Sequence, residues 1–291
     1  MQPQSASVAS TSAAIRPLSR SMRYWLLVDS LLVLLTGIQL FVLTEYTDRF
    51  FAWTITPALT AAFLGAAYWA ALPLVYLSSR ETIWARARLA VFGVLVFTIL
   101  TTAATLIHLD RFHLFGPNPL AQFAAWVWLA VYAVVPPALL IILLLQKRLP
   151  GGDPPRQAPL PGWLRAVLAL QALIMLTIGV TLFIAPLAPI WPWKLTPLTG
   201  RAVGAWLVGI GVIVAHVNFE NDWRRVHIAM ISYTLFAVLE LLALVRYLML
   251  VDWSALSAMI YLVFLLCVLV VAGYGWLISR AYGRPQPMIE T

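Results

Sequence analysis

The sequence predicts an all-α integral membrane protein whose eight transmembrane helices form two parallel four-helix repeats. Three observations carry this. Of the 291 residues, 62% are apolar and only 10% are charged. A soluble protein carries about 25% charged residues, so there is too little polar surface here to coat a water-soluble globule. The apolar residues gather into eight runs of about 20 residues, the length at which a helix crosses the hydrocarbon core. Uncommon residues also recur in one order in both halves of the chain, the mark of an internal repeat.

The recurrence is anchored on Trp53, Thr56 and Pro57, which match Trp193, Thr196 and Pro197 at an offset of 140. At an offset of 139, Gly65-Ala66 matches Gly204-Ala205, and Glu81, Trp84 and Arg86 match Glu220, Trp223 and Arg225. Upstream, Gly37, Leu40 and Phe41 match Gly179, Leu182 and Phe183 at an offset of 142. Ala, Leu and Val match easily by chance in such a chain; Trp, Pro, Glu and Arg do not.

Residues 1–22 are small, polar and basic. They bury too little apolar area to order themselves and are expected to be disordered. The run at 24–43 is too long for the apolar core of a signal peptide and lacks a small-residue cleavage site, so it is kept as the first span. The other spans are 57–77, 89–109, 120–146, 167–185, 197–217, 226–249 and 256–279. Pro57 and Pro197 suit a first helical turn, with Thr56 and Thr196 as N-caps. Pro136-Pro137 should bend the fourth span and leave backbone groups that need partners from neighbouring helices. Five prolines crowd 149–162, which is the link between repeat 1 (23–148) and repeat 2 (163–282); 283–291 is a tail.

Fourteen Lys and Arg fall in the N-terminal segment, the even-numbered connections and the tail, against three (Arg49, Arg111, Lys194) in the other connections. The positive-inside rule then puts both termini in the cytoplasm, consistent with a bacterial cytoplasmic membrane. Four spans per half make the repeats parallel rather than inverted. Small residues permit close approach in lipid. Gly200, Gly204, Gly209 and Gly211 in the sixth span, and Gly65, Ala66, Ala70 and Ala71 in the second, therefore place these two helices toward the centre.

Ionisable side chains within spans are costly and mark candidate sites. Here they are Asp29, Arg201, Glu240 and Arg246. Glu240 lies roughly 13 Å in from the outer end of its span at the helical rise, and Arg201 could reach toward it. With Arg246, Lys194 and Trp193 these residues outline an outward-facing, aromatic-walled pocket between the repeats, suited to an anionic small molecule or a lipid headgroup. The positions aligned with Arg201, Glu240 and Arg246 in the first half are Ala62, Thr101 and Ile107, so the charged set exists once. A closed contact of Glu240 with Arg201 or with a hydroxyl would instead make it structural. Tryptophans at that depth also serve as interface anchors.

No catalytic motif, phosphate loop or cofactor signature occurs. His108 and His113 are five apart, and His216 and His227 could meet only at the membrane surface, so no metal or haem is expected. The single Cys267 allows no internal disulfide. Basic residues are spread over span ends rather than one face, which argues against nucleic acid. The leading expectation is a transporter-like or ligand-binding membrane protein, more a binder than an enzyme. The alternatives are a non-catalytic accessory or scaffold subunit with a membrane-protein partner, and an enzyme acting on a lipid-linked substrate with Glu240 or His108 as acid or base.

Overall fold

The computed structural model describes residues 14–282. Eight helices in it are long and apolar enough to cross a membrane: α1 Arg20–Gly37, continued by one π-turn over Ile38–Val42, α2 Ala58–Arg80, α3 Trp84–Ile107, α4 Pro119–Lys147, α5 Gly162–Ile184, α6 Pro197–Glu220, α7 Trp223–Arg246 and α8 Leu256–Tyr282. A single helical turn, Thr47–Phe50, follows α1. No strand occurs among the described residues, only isolated bridges such as Trp53 with Phe112. By length and composition this is an integral membrane protein. The 283–291 tail lies outside the described residues.

Four helices form an inner group and four cover it. The most apolar stretch of α2 is 78% buried, of α6 67%, of α7 61% and of α3 44%, against 28–33% for α1, α4, α5 and α8. The central placement of α2 and α6, read from their small residues, therefore holds. α1 packs on α2 and α5 on α6; α3 packs on α6 and α7 on α2; α4 covers α3 and α8 covers α7. Two crossings are so close that only glycine fits. A Cβ at Gly65 would collide with the Phe41 backbone, and one at Gly204 with the backbones of Gly179 and Phe183.

Helix starts differ from the hydropathy reading for one reason. Arg20, Arg23, Arg86, Arg224 and Arg225 lie within first turns, where hydropathy falls although the helix has begun. α1 begins at Arg20 because Ser19 Oγ accepts from Met22 N, and α7 begins at Trp223 because Asp222 accepts from Arg224 N. Thr196 caps α6 in a capping box with Thr199, as its Thr-Pro predicts. Its counterpart Thr56 does not: α2 begins at Ala58, with Pro57 at the cap position and no side-chain cap. α4 runs unbroken through Pro136 and Pro137. Pro136 has no N–H for the Tyr132 carbonyl, and Thr102 of α3 donates to that oxygen at 3.0 Å, the outside partner such a helix needs.

The expected disorder over 1–22 falls partly on residues 1–13, outside the described residues. From residue 14 the chain is fixed. Arg16 N donates to Gly152 O, Leu18 N to Thr82 O, and Trp84 N to Arg16 O. The 148–161 link is equally tied down: Gln157 N donates to Asp222 Oδ2 at 2.7 Å, and Trp223 N to Ala158 O. These segments define one end of the bundle, the linker end. The connections after α1, α3, α5 and α7 form the far end.

Candidate functional site

Of the residues expected to form one outward pocket, Glu240 and Trp193 meet only through Tyr261, and Arg201 and Arg246 bond elsewhere. Arg201 Nη1 lies 2.8 Å from His108 Nε2 and 3.4 Å from Pro197 O, not beside Glu240. Arg246 donates to Phe41 O at 2.7 Å and to Val42 O at 3.5 Å, where the π-turn at the end of α1 offers its carbonyls. Lys194 is exposed, while Trp193 is buried and donates to Thr60 Oγ1 at 2.9 Å. Trp193 thus stitches the connection after α5 onto α2 rather than anchoring at a lipid interface.

Glu240 is 1% exposed. Its Oε2 accepts from the Tyr261 hydroxyl of α8 at 3.2 Å, and its Oε1 has no partner among the described residues. Trp191 and Trp193 lie over Tyr261, with ring centroids at 5.3 and 5.7 Å. This is a closed contact with a hydroxyl under an aromatic cap. Six residues separate Glu240 from Arg246 on α7, so they point to different faces, and Arg201 is held at the far surface by His108.

The open space lies elsewhere. A cavity of about 370 Å³ runs from the far end, at Leu43 and Phe50, inward among α1, α2, α3, α4 and α6 to Asp29. Leu35 of α1 and Leu120, Phe123 and Val127 of α4 line it and are exposed on the bundle surface, so it opens sideways between α1 and α4 to where the acyl chains would be. Its inner wall is aromatic: Phe97 and Trp206 stack with centroids 3.9 Å apart, and Tyr68 and Trp128 stand beside them.

Polar groups in this cavity are few. The hydroxyls of Tyr68 and Tyr132 bond to each other at 2.7 Å. Thr98 turns back to Leu95 O at 3.1 Å, and Gln39 donates to Phe50 O at 3.0 Å. Asp29 differs. It is 8% exposed, and no hydrogen bond reaches its Oδ2 among the described residues. It sits nine residues into α1, roughly 14 Å at the helical rise, and its short side chain cannot snorkel to an interface. A carboxyl so placed costs several kcal/mol unless something pairs with it.

Asp29 is among the ionisable side chains within spans, and no sequence motif assigns it a role. The signal was present: an acid in mid-span with no cation on its own helix within two turns toward the far end.

Three of the four histidines are engaged by polar neighbours. His113 faces Thr54 Oγ1 and Phe51 O, both at 3.0 Å. His216 lies 3.6 Å from Glu220. His108 has its pKa pushed below the ordinary 6.5, first by burial and then by the Arg201 charge. Among the described residues no three His, Cys, Asp or Glu side chains gather to hold a metal ion. No protein-family model, curated protein or solved structure matches the chain.

Proposed function

We propose that this protein binds a membrane-dissolved amphiphile in the lateral cavity, with Asp29 holding its polar group. The unpartnered, buried Asp29 carboxyl carries the reading, since an intramembrane acid with no protein partner is retained where it has something else to bind. The apolar, aromatic walls suit a hydrocarbon or ring body. The acid selects a cationic or hydrogen-bond-donating head, an amine or an alcohol, and disfavours the anionic ligand expected at the far end of the second half. Entry from the side, through the gap between α1 and α4, suits a ligand that arrives through the bilayer.

The binding scaffold is a pair of parallel four-helix repeats with the linker end in the cytoplasm. Matching contacts support this. Gly65 meets Phe41 as Gly204 meets Phe183. Gly93 of α3 faces Gly209 of α6, while at the corresponding positions Ser232 of α7 bonds Ala70 O of α2 at 2.6 Å. The Phe51, Trp53 and Trp128 cluster corresponds to Trp191, Trp193 and Tyr261. In this register Asp29 corresponds to Gln171, which is 2% exposed and closed in by Tyr233 and Cys267 at 3.3 and 3.4 Å. One repeat thus keeps an open site where the other has filled it.

The accessory-subunit reading rests on the closed Glu240–Tyr261 contact, which leaves no open polar pocket among the described residues there. One experiment separates the two. The full-length protein, purified in mild detergent, is extracted with organic solvent and its retained amphiphiles are measured by mass spectrometry. A binder retains an amine- or hydroxyl-headed amphiphile, and Asp29→Leu loses it about tenfold or more, a contribution of about 1.4 kcal/mol. Equal retention by wild type and Asp29→Leu, or no retained amphiphile in either, favours the accessory subunit.

A further inference from the structure

We infer that the linker end carries a second site, for the phosphate of an anionic phospholipid, formed between α1 and α2 by Arg20, Arg23 and Arg80. These three guanidinium groups line one cleft of about 220 Å³ together with Tyr24, Leu27 and Ser79. Arg23 Nε donates to Ser79 O at 3.1 Å. That bond pins the Arg23 side chain across the last turn of α2 and leaves its two Nη groups for another acceptor.

The carboxylates at this end that form ion pairs are taken by other arginines. At the same end of the bundle Arg86 pairs with Glu81, and both Arg88 and Arg225 pair with Glu220 and Asp153. Arg156 reaches two backbone carbonyls. For Arg20, Arg23 and Arg80 no carboxylate lies within ion-pair distance among the described residues. Three like charges around one small cleft repel each other, and a phosphate offers each guanidinium the paired acceptors its planar fork fits.

The apolar side of the site selects a lipid as the source of that phosphate. Tyr24 is 68% exposed at headgroup depth, where amphipathic rings settle. Directly below, Leu27 and Leu31 follow at a four-residue interval on α1, both exposed on the bundle surface, giving acyl chains an apolar ridge. The scaffold itself does not require the cations. In the repeat register, on which this one comparison rests, Arg20, Arg23 and Arg80 correspond to Gly162, Arg165 and Phe219, so the second half manages with one.

The test uses the full-length protein in a zwitterionic detergent. Native mass spectrometry and melting temperature are read with phosphatidylglycerol, phosphatidylcholine or inorganic phosphate added. Phosphatidylglycerol is retained and raises the melting temperature, whereas phosphatidylcholine and millimolar phosphate do neither. Arg20 and Arg80 are exposed, so Arg20→Gln/Arg80→Gln folds, and it loses phosphatidylglycerol about tenfold, as a lost charge-assisted contact implies. Arg20→Lys/Arg80→Lys retains part of it. The inference is overturned if the Gln double variant binds phosphatidylglycerol like wild type, or if the two lipids are held equally. Equal stabilisation by inorganic phosphate overturns the lipid source. Asp29→Leu leaves phosphatidylglycerol retention unchanged, so failure here and failure of the lateral-cavity reading are told apart.

Discussion

Arg201 Nη1 donates to His108 Nε2 at 2.8 Å, tying the far end of α6 to the turn that follows α3. The bond requires a neutral imidazole with its Nε2 lone pair free. Burial and the Arg201 charge lower the His108 pKa in the folded protein. Between that value and the unfolded 6.5 the unfolded chain binds more protons, so the contribution is present above pH 6.5 and is lost as pH falls through the folded value. The melting temperature should therefore decline from pH 7.5 to pH 5, with a shallow slope because His108 is largely solvated. His108→Gln keeps an acceptor for Arg201 and should flatten the slope when both proteins are followed by scanning fluorimetry. An unchanged slope in that variant assigns the pH response elsewhere.

Glu240 and Tyr261 invite a double-mutant cycle. Tyr261→Phe removes the one hydrogen bond that Glu240 makes and leaves a buried carboxyl with nothing, at a cost of about 1–3 kcal/mol. Glu240→Leu removes the acid but leaves the Tyr261 hydroxyl without its acceptor, so it too should cost about 1 kcal/mol or more. With Glu240→Leu in place, Tyr261→Phe should cost little, so the double variant recovers most of the loss. Denaturant unfolding in mixed micelles reads all three. A Glu240→Leu protein that is stable but has lost ligand retention would restore Glu240 to the functional site.

The span count was legible because length and hydropathy alone define it, and lipid permits few alternatives to a helix. The central positions of α2 and α6 were legible through Gly65 and Gly204, whose missing side chains allow backbone contact. The site was not. A span's sequence gives depth and face only roughly, and Arg201, Arg246 and Glu240 looked like one cluster because they share a depth range. Their actual partners, His108, the Phe41 carbonyl and Tyr261, come from three other elements, and nothing local in sequence encodes those pairings. The cavity at Asp29 depends on how far α4 stands from α1, a tertiary quantity.

The two Glu-x-x-Trp-x-Arg corners look equivalent in sequence and should respond very differently to the same substitution. Glu220 is 1% exposed and binds Arg225 at 2.9 Å and Arg88 through both carboxylate oxygens. Glu220→Gln leaves Arg88 and the 4% exposed Arg225 to share the single carboxylate of Asp153, and should cost up to about 3 kcal/mol. Glu81 lies 3.7 Å from Arg86, whose side chain is 37% exposed, a pair worth at most about 1 kcal/mol. Burial pushes the Glu81 carboxyl above its ordinary 4.5, with Arg86 opposing. A raised carboxyl favours the folded state below the unfolded value, and that advantage is lost as pH rises through the folded one. At pH 7 the charged Glu81 therefore adds nothing net, and Glu81→Gln should leave the melting temperature unchanged or slightly higher. Thermal unfolding of the two variants side by side decides it: equal losses would mean that the extra cation and the Asp153 contacts around Glu220 do not set the strength of that corner.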